Sequence, residues 1–246
     1  MNSNWSALSS IEIHPVSASV EQSTELPGEH PRALNDAASA LEVAQHALSR
    51  GGLNVVGEIL KGQGTFYEMN HYPDDDVFDN QSHSQYYYHA HRNEDEHGHF
   101  HTFIRRAGIA ENIQPAVGFE RSEPWPQGSD ELAHLIGISM NADGEPQGLF
   151  ATNRWVTDES WYSAADTITM LDQFVIDHAH PNLAVNQWLT QFMRLYRSAI
   201  KQLLQHRDRV IASWQQLYPE VDVLEDRRLE ITGYLTIDQS LWQAEV

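Results

Sequence analysis

The chain reads as an α+β protein with a mostly antiparallel sheet. Three observations predict it. Strand-like runs cluster in the middle of the sequence, helical periodicity lies towards both ends, and the central stretch Tyr86–Phe103 has the form of a β-hairpin carrying histidines at alternate positions. The expected organisation is a flexible tail over residues 1–30 followed by a single domain over 31–246.

Residues 1–30 are rich in Ser, Glu and Pro with scattered apolar positions, which is why they read as a tail. From Pro31 to Arg50 strong helix formers repeat at helical spacing, and Gly51-Gly52 supplies the stop. Two strand-like runs, Leu53–Leu60 and Gly64–Asn70, are expected to pair antiparallel across a short turn at Lys61. His71–Gln85 reads as a loop leading into the histidine hairpin. Residues 107–130, with Pro and Gly crowded into GFERSEPWPQG, should be irregular. AHLIGISM and GLFATNRWV form a second hairpin about Asn141–Gly144, where Asp-Gly is a strong turn signal. Thr157 or Asp158 is expected to cap a helix running on to Asp177. Asn182 to about Tyr218 reads as the longest helix, laid across the sheet, and LEITGYLTID as the last strand.

Asp and Glu number 35 against 15 Lys and Arg, a formal charge of −20, so binding of a nucleic-acid backbone is excluded as a working expectation. The N-terminus lacks a basic region followed by an apolar run, and no apolar stretch is long enough to span a bilayer. The expectation is a cytoplasmic protein acting on a small molecule, away from membranes. There is no Cys, which removes thiolate ligands and disulfides from consideration.

The chemistry concentrates in YYYHAHRNEDEHGHFHTF. If Arg92 and Gly98 close the turn, His91 faces His99 and His89 faces His101. All four imidazoles then share one face, because strand side chains alternate and opposed residues point the same way. The other face carries Tyr86, Tyr88 and Ala90 against Phe100, Thr102 and Ile104, an apolar surface suited to the core. Three imidazoles bind a transition metal and leave positions open for water or substrate. Fe(II) is the preferred ion for such a site, with Zn or Cu as alternatives, and the reading is a non-haem oxidoreductase. A zinc hydrolase and a metal-storage protein are the competing readings. Tyr87 shares the histidine face and is a candidate catalytic phenol. Glu96 is a candidate general base, and Arg154 a candidate contact for an anionic substrate.

His71, His83, Asp76, Asp79 and His97 lie close enough in sequence to add a ligand or to orient one. The second His-x-His, at His178 and His180, falls between two helices and reads as a connector.

Two known motifs overlap this stretch. His97-Gly-His99-Phe-His101 resembles the histidine-triad hydrolases and transferases, which would make His99 a nucleophile; Gly98 and Thr102 depart from that pattern, and the preceding acidic run would repel a phosphate. His89-x-His91-x4-Glu96 resembles the first cupin motif, implying a β-barrel metalloprotein with a distant fourth histidine. Pro126-Gln-Gly128 with His134 loosely resembles the second cupin motif. Over Leu53 to Trp161 the chain is most similar to an uncharacterised bacterial protein family with this YYYHAHR…EHGHFHTF signature, a resemblance that brings no activity with it.

Overall fold

The computed structural model describes residues 31–91, 96–119 and 121–238. The expected tail lies outside the described residues. Helix α1 occupies Pro31–Arg50 and buries Ala37, Leu41, Ala44 and Leu48, which recur at helical spacing. Gly52, at φ +70, ends it in the left-handed conformation that glycine adopts without strain.

The first expected strand pair is not there. Val55–Leu60 is instead a short helix, α2, whose buried Val55 and Val56 lie one turn before the buried Ile59. Asn54 decides this, since its side-chain oxygen accepts from Gly57 N (2.7 Å) and caps the helix while its amide donates to Asp143 O (2.7 Å) in a distant turn. Two β-branched residues in a row favoured a strand in the sequence, and the cap overrode them.

Six strands form one sheet ordered as in the chain, each antiparallel to the next: β1 Tyr72–Phe78, β2 Ser84–His89, β3 Gly98–Arg105, β4 Leu132–Met140, β5 Pro146–Thr152 and β6 Ile231–Thr236. β1 falls where a loop was expected. Its pairing jumps from Tyr72↔Tyr88 to Val77↔Tyr86 around Asp75 and Asp76, both at positive φ, and such a bulge erases the alternation that would mark a strand. The expected β4–β5 hairpin is present, and Gly144 at its turn has φ +77 and abuts Asn54 so closely that a Cβ would lie 2.3 Å from its Cγ.

The β5–β6 connection carries the C-terminal helices. Arg154–Thr157 makes one turn, α3, which Asp158 ends at φ 52 instead of opening a helix. The next helix, α4, spans Ala164–Met170 and is capped by Ser163, which accepts from Asp166 N. The long C-terminal helix is two: α5 Leu183–Leu195, capped by Asn182, and α6 Arg197–Leu217, with the chain bending at Tyr196 (φ −95, ψ 12). Apolar spacing runs straight through the bend, so periodicity could not reveal it.

One face of the sheet is the main core. Tyr86, Tyr88, Phe100, Ile104, Ile136, Ile138, Leu149 and Leu235 join Trp188, Leu189 and Phe192 of α5 in a continuous buried cluster. Tyr86 donates its hydroxyl to Asn186 Oδ1 (2.7 Å), which lets a phenol sit there fully buried. Among the described residues no helix is long and apolar enough to cross a membrane.

Candidate metal centre

The opposite face of the same strands carries the histidines. The β2–β3 register is His89↔His99 and Tyr87↔His101, two residues away from the expected pairing of His91 with His99. A shift of two preserves which side each residue faces, whereas a shift of one would have scattered the histidines. The expected face assignment therefore holds, and the partners change. β2 ends at His89, so His91 lies past the strand, half-buried, its ring 4.9 Å from that of His89 and 5.0 Å from that of His99. Arg92 of the expected turn lies outside the described residues, and Gly98 opens β3, packed so tightly that a Cβ would lie 2.5 Å from the Tyr88 hydroxyl oxygen.

His89, His99 and His101 converge. One ligand nitrogen from each lies within 4.8 Å of the others, and all three side chains are buried. Around a tetrahedral ion with bonds of about 2.0–2.1 Å, ligand nitrogens sit roughly 3.3 Å apart, so small side-chain rotations would close the group on a metal. Its chemistry fits a borderline ion, being all imidazole.

Two of the three rings are held from behind. Glu96 Oε1 pairs with His99 Nδ1, and its other oxygen accepts from Ser139 Oγ (2.9 Å), the residue paired with His99 across β3–β4. His101 Nδ1 is 2.9 Å from His134 Nε2, and His134 Nδ1 is 3.3 Å from Thr152 Oγ1. Partners on Nδ1 leave Nε2 as the coordinating atom, the arrangement usual for metal-binding histidines. They also offset the cost of burying imidazoles, about 1–3 kcal/mol for each polar group left unsatisfied.

His134 reaches this face through a β-bulge. The β3–β4 register shifts between Thr102↔Ile136 and Phe103↔His134, so the even-numbered His134 joins odd-numbered Gly137 and Ser139 instead of facing the core with Ile136 and Ile138. Burial, and next the charge of Arg207, lower its pKa to about 3, so it is a neutral imidazole at pH 7. Its backbone N donates to Glu159 Oε2 (2.6 Å), a buried carboxyl that desolvation pushes up to about 7.

Aromatic rings wall the group. Tyr87 lies 5.3 Å from His101 and 5.6 Å from Phe103, and burial drives its phenol well above the usual range. Phe150 stands edge-on to His99 and His101 at 5.2 and 5.6 Å. Gly137 makes room for it, since a Cβ there would be 2.2 Å from the Phe150 ring. Gly137, Phe150 and Glu159 escaped the sequence reading. The pairing of β4 with β3 and β5 brings Gly137 and Phe150 to the histidines, and the backbone N of His134 holds Glu159 there; the loose cupin-like match at His134 was the one sequence signal pointing to this strand.

The other candidates divide. His71 lies at the rim, stacked on Tyr87 at 3.6 Å with an interplanar angle of 8° and paired with Asp76 at 2.9 Å. Asp79 accepts from Gln81 N and Ser82 N and shapes the β1–β2 turn with His83. His97 turns away, its Nδ1 2.7 Å from the Tyr88 hydroxyl. His178 and His180 serve the connector, their carbonyls accepting from Asn186 Nδ2 at 2.9 and 2.8 Å. Arg154, expected to meet substrate, is buried; its guanidinium donates to Glu225, the Glu159 carbonyl and Asp158.

Fold and site together define an α+β protein whose antiparallel sheet bears a buried three-histidine group able to hold a metal ion. The chain belongs to the family described as Domain of unknown function (DUF6969), which matches residues 35–237. The described strands form a six-stranded antiparallel meander in place of the barrel that the cupin-like spacing implied. No curated protein and no solved structure matches the chain.

Proposed function

We propose that this protein is a metal-dependent oxidoreductase that holds one Fe(II) ion on His89, His99 and His101 and acts with O₂ on a small organic substrate. The observation that carries this reading is the convergence of three buried imidazoles within 4.8 Å on rigid strands, two of them braced at Nδ1. Three neutral ligands leave coordination positions open, and bound Fe(II) supplies redox chemistry there. The chain's own residues do the rest. Tyr87, kept protonated, presents a phenol beside His101 that can donate to a bound substrate. Phe103 and Phe150 exclude water. His91, at the rim, is a reserve donor.

Zinc-dependent hydrolysis would need a base, and Glu96, the nearest acidic candidate in sequence, has its oxygens engaged by His99 and Ser139. Storage would call for several sites, whereas one such group occurs among the described residues.

Protein purified without a tag should carry close to one transition-metal ion per chain by elemental analysis. Replacing His89, His99 or His101 by Ala should empty the site, and His91→Ala should leave it largely filled. Metal-free protein reloaded anaerobically with Fe(II) should consume O₂ when a metabolite panel contains its substrate, and the Zn-loaded form should not. Activity restored by Zn would move the assignment to a hydrolase. Several ions per chain without turnover would move it to storage.

A further inference from the structure

Two of the three converging imidazoles are braced by unlike groups. His99 meets a carboxylate, which can only accept a hydrogen bond, so its Nδ1 must carry the proton. His101 meets another imidazole, which can either donate or accept, and its proton could sit on either nitrogen. Only one choice is compatible with a ligand. A proton on His101 Nε2 would occupy the lone pair turned towards His89 and His99.

We propose that His134 is a positioning residue that fixes His101 in its Nδ1–H form through a relay in which His101 Nδ1 donates to His134 Nε2 and His134 Nδ1 donates to Thr152 Oγ1. The inference rests on the three-histidine metal reading for its purpose, but the tautomer can be tested without any metal. Three features carry it. The nitrogens are 2.9 Å apart at the first step, and His134 Nδ1 lies 3.3 Å from Thr152 Oγ1 at the second. His134 is 3% exposed and Thr152 1%, so water does not compete for these bonds. Finally, the β-bulge that carries His134 onto this face serves the placement of that side chain, because the unbroken register would put it among Ile136 and Ile138.

A neutral imidazole has one donor and one acceptor and a hydroxyl offers both, so the two bonds must run in the same direction, and the direction that leaves His101 Nε2 unprotonated has Thr152 Oγ1 as its final acceptor. Thr152 is thereby coupled to His101 through two successive hydrogen bonds. It lies on β5, two positions beyond Phe150 along the same face, so one strand supplies both the aromatic wall and the terminus of the relay.

The test is nitrogen-15 NMR of the imidazoles in the full metal-free chain, followed by zinc affinity measured in competition with a chromophoric chelator. His101 in the parent protein should show a protonated Nδ1 and an unprotonated Nε2. In His134→Leu that preference should be lost, and zinc should bind on the order of 10–100-fold more weakly, the usual effect of removing a partner behind a ligand. His134→Gln, which keeps an acceptor, should recover most of the affinity. Should the Leu variant fail to fold, Thr152→Val reads the same relay from its far end and should mix the tautomers of His101. An Nε2–H form of His101 in the parent, or unchanged tautomer and affinity in both His134→Leu and Thr152→Val, overturns the proposal. If the parent shows the Nδ1–H form yet binds no zinc or iron, the relay stands and the metal reading falls.

Discussion

Tyr87 and Tyr88 are neighbours on β2, and both are buried, yet they belong to different regions of the molecule. Tyr88 faces the helices, packed 4.9 Å from Phe100 within the apolar cluster. Tyr87 faces the histidines. The first region is held by area removed from water, about 25 cal/mol per Å². The second is held by specific hydrogen bonds between groups that burial alone would penalise. Polar groups on that second face are costly to bury, and their retention in a braced constellation is what marks it as the candidate functional side.

The largest effect should come from the apolar side. Phe100→Ala removes a fully buried ring from between Tyr86 and Tyr88 and should cost roughly 3–5 kcal/mol in denaturant unfolding. A loss under about 1 kcal/mol would mean that the core does not depend on this face. On the histidine side, Gly137→Ala should cost about 1–3 kcal/mol, because its Cβ would be driven into the Phe150 ring 2.2 Å away. It should also weaken metal retention, which Phe100→Ala should not do in protein that stays folded. Equal effects of both on metal would erase the distinction between the faces.

The two regions should also differ in their response to pH. Desolvation pushes Glu159 up to about 7 from an ordinary 4.5, so between those values the folded protein keeps a proton that the unfolded chain has lost. That contribution is present in full below the unfolded value and is lost as pH rises through about 7. His134, lowered to about 3 from 6.5, works the other way and removes stability as pH falls below 6.5. Glu159→Gln should therefore gain on the parent as thermal melts are moved from about pH 5 to about pH 8. A gain that shrinks with rising pH would place an ionised carboxylate in the fold.

The smallest difference comes from deleting the two hydroxyls. Tyr88→Phe should cost about 1 kcal/mol by breaking the bond to His97. Tyr87→Phe should leave the melting temperature and the metal content nearly unchanged and slow turnover. Loss of metal in Tyr87→Phe would make the phenol a ligand.

The sequence by itself determined the α+β class, the first helix, the β4–β5 hairpin and the face on which His89, His99 and His101 lie. Each depends on local spacing: helical or two-residue periodicity, an Asp-Gly turn, a Gly-Gly stop. Only the tertiary structure decided the rest. The β2–β3 register moved by two and left His91 at the rim, because pairing is set by partners on both edges of a strand and not by the turn alone. Asn54 caps a strand-like run as a helix through Gly57 N, while its amide is tied to a turn 89 residues away. The bulges in β1 and β4 broke the alternation on which strand reading depends, hiding β1 and carrying His134 to the side of the converging histidines. A bulge has no period of its own, so its place is legible only once the neighbouring strand is known.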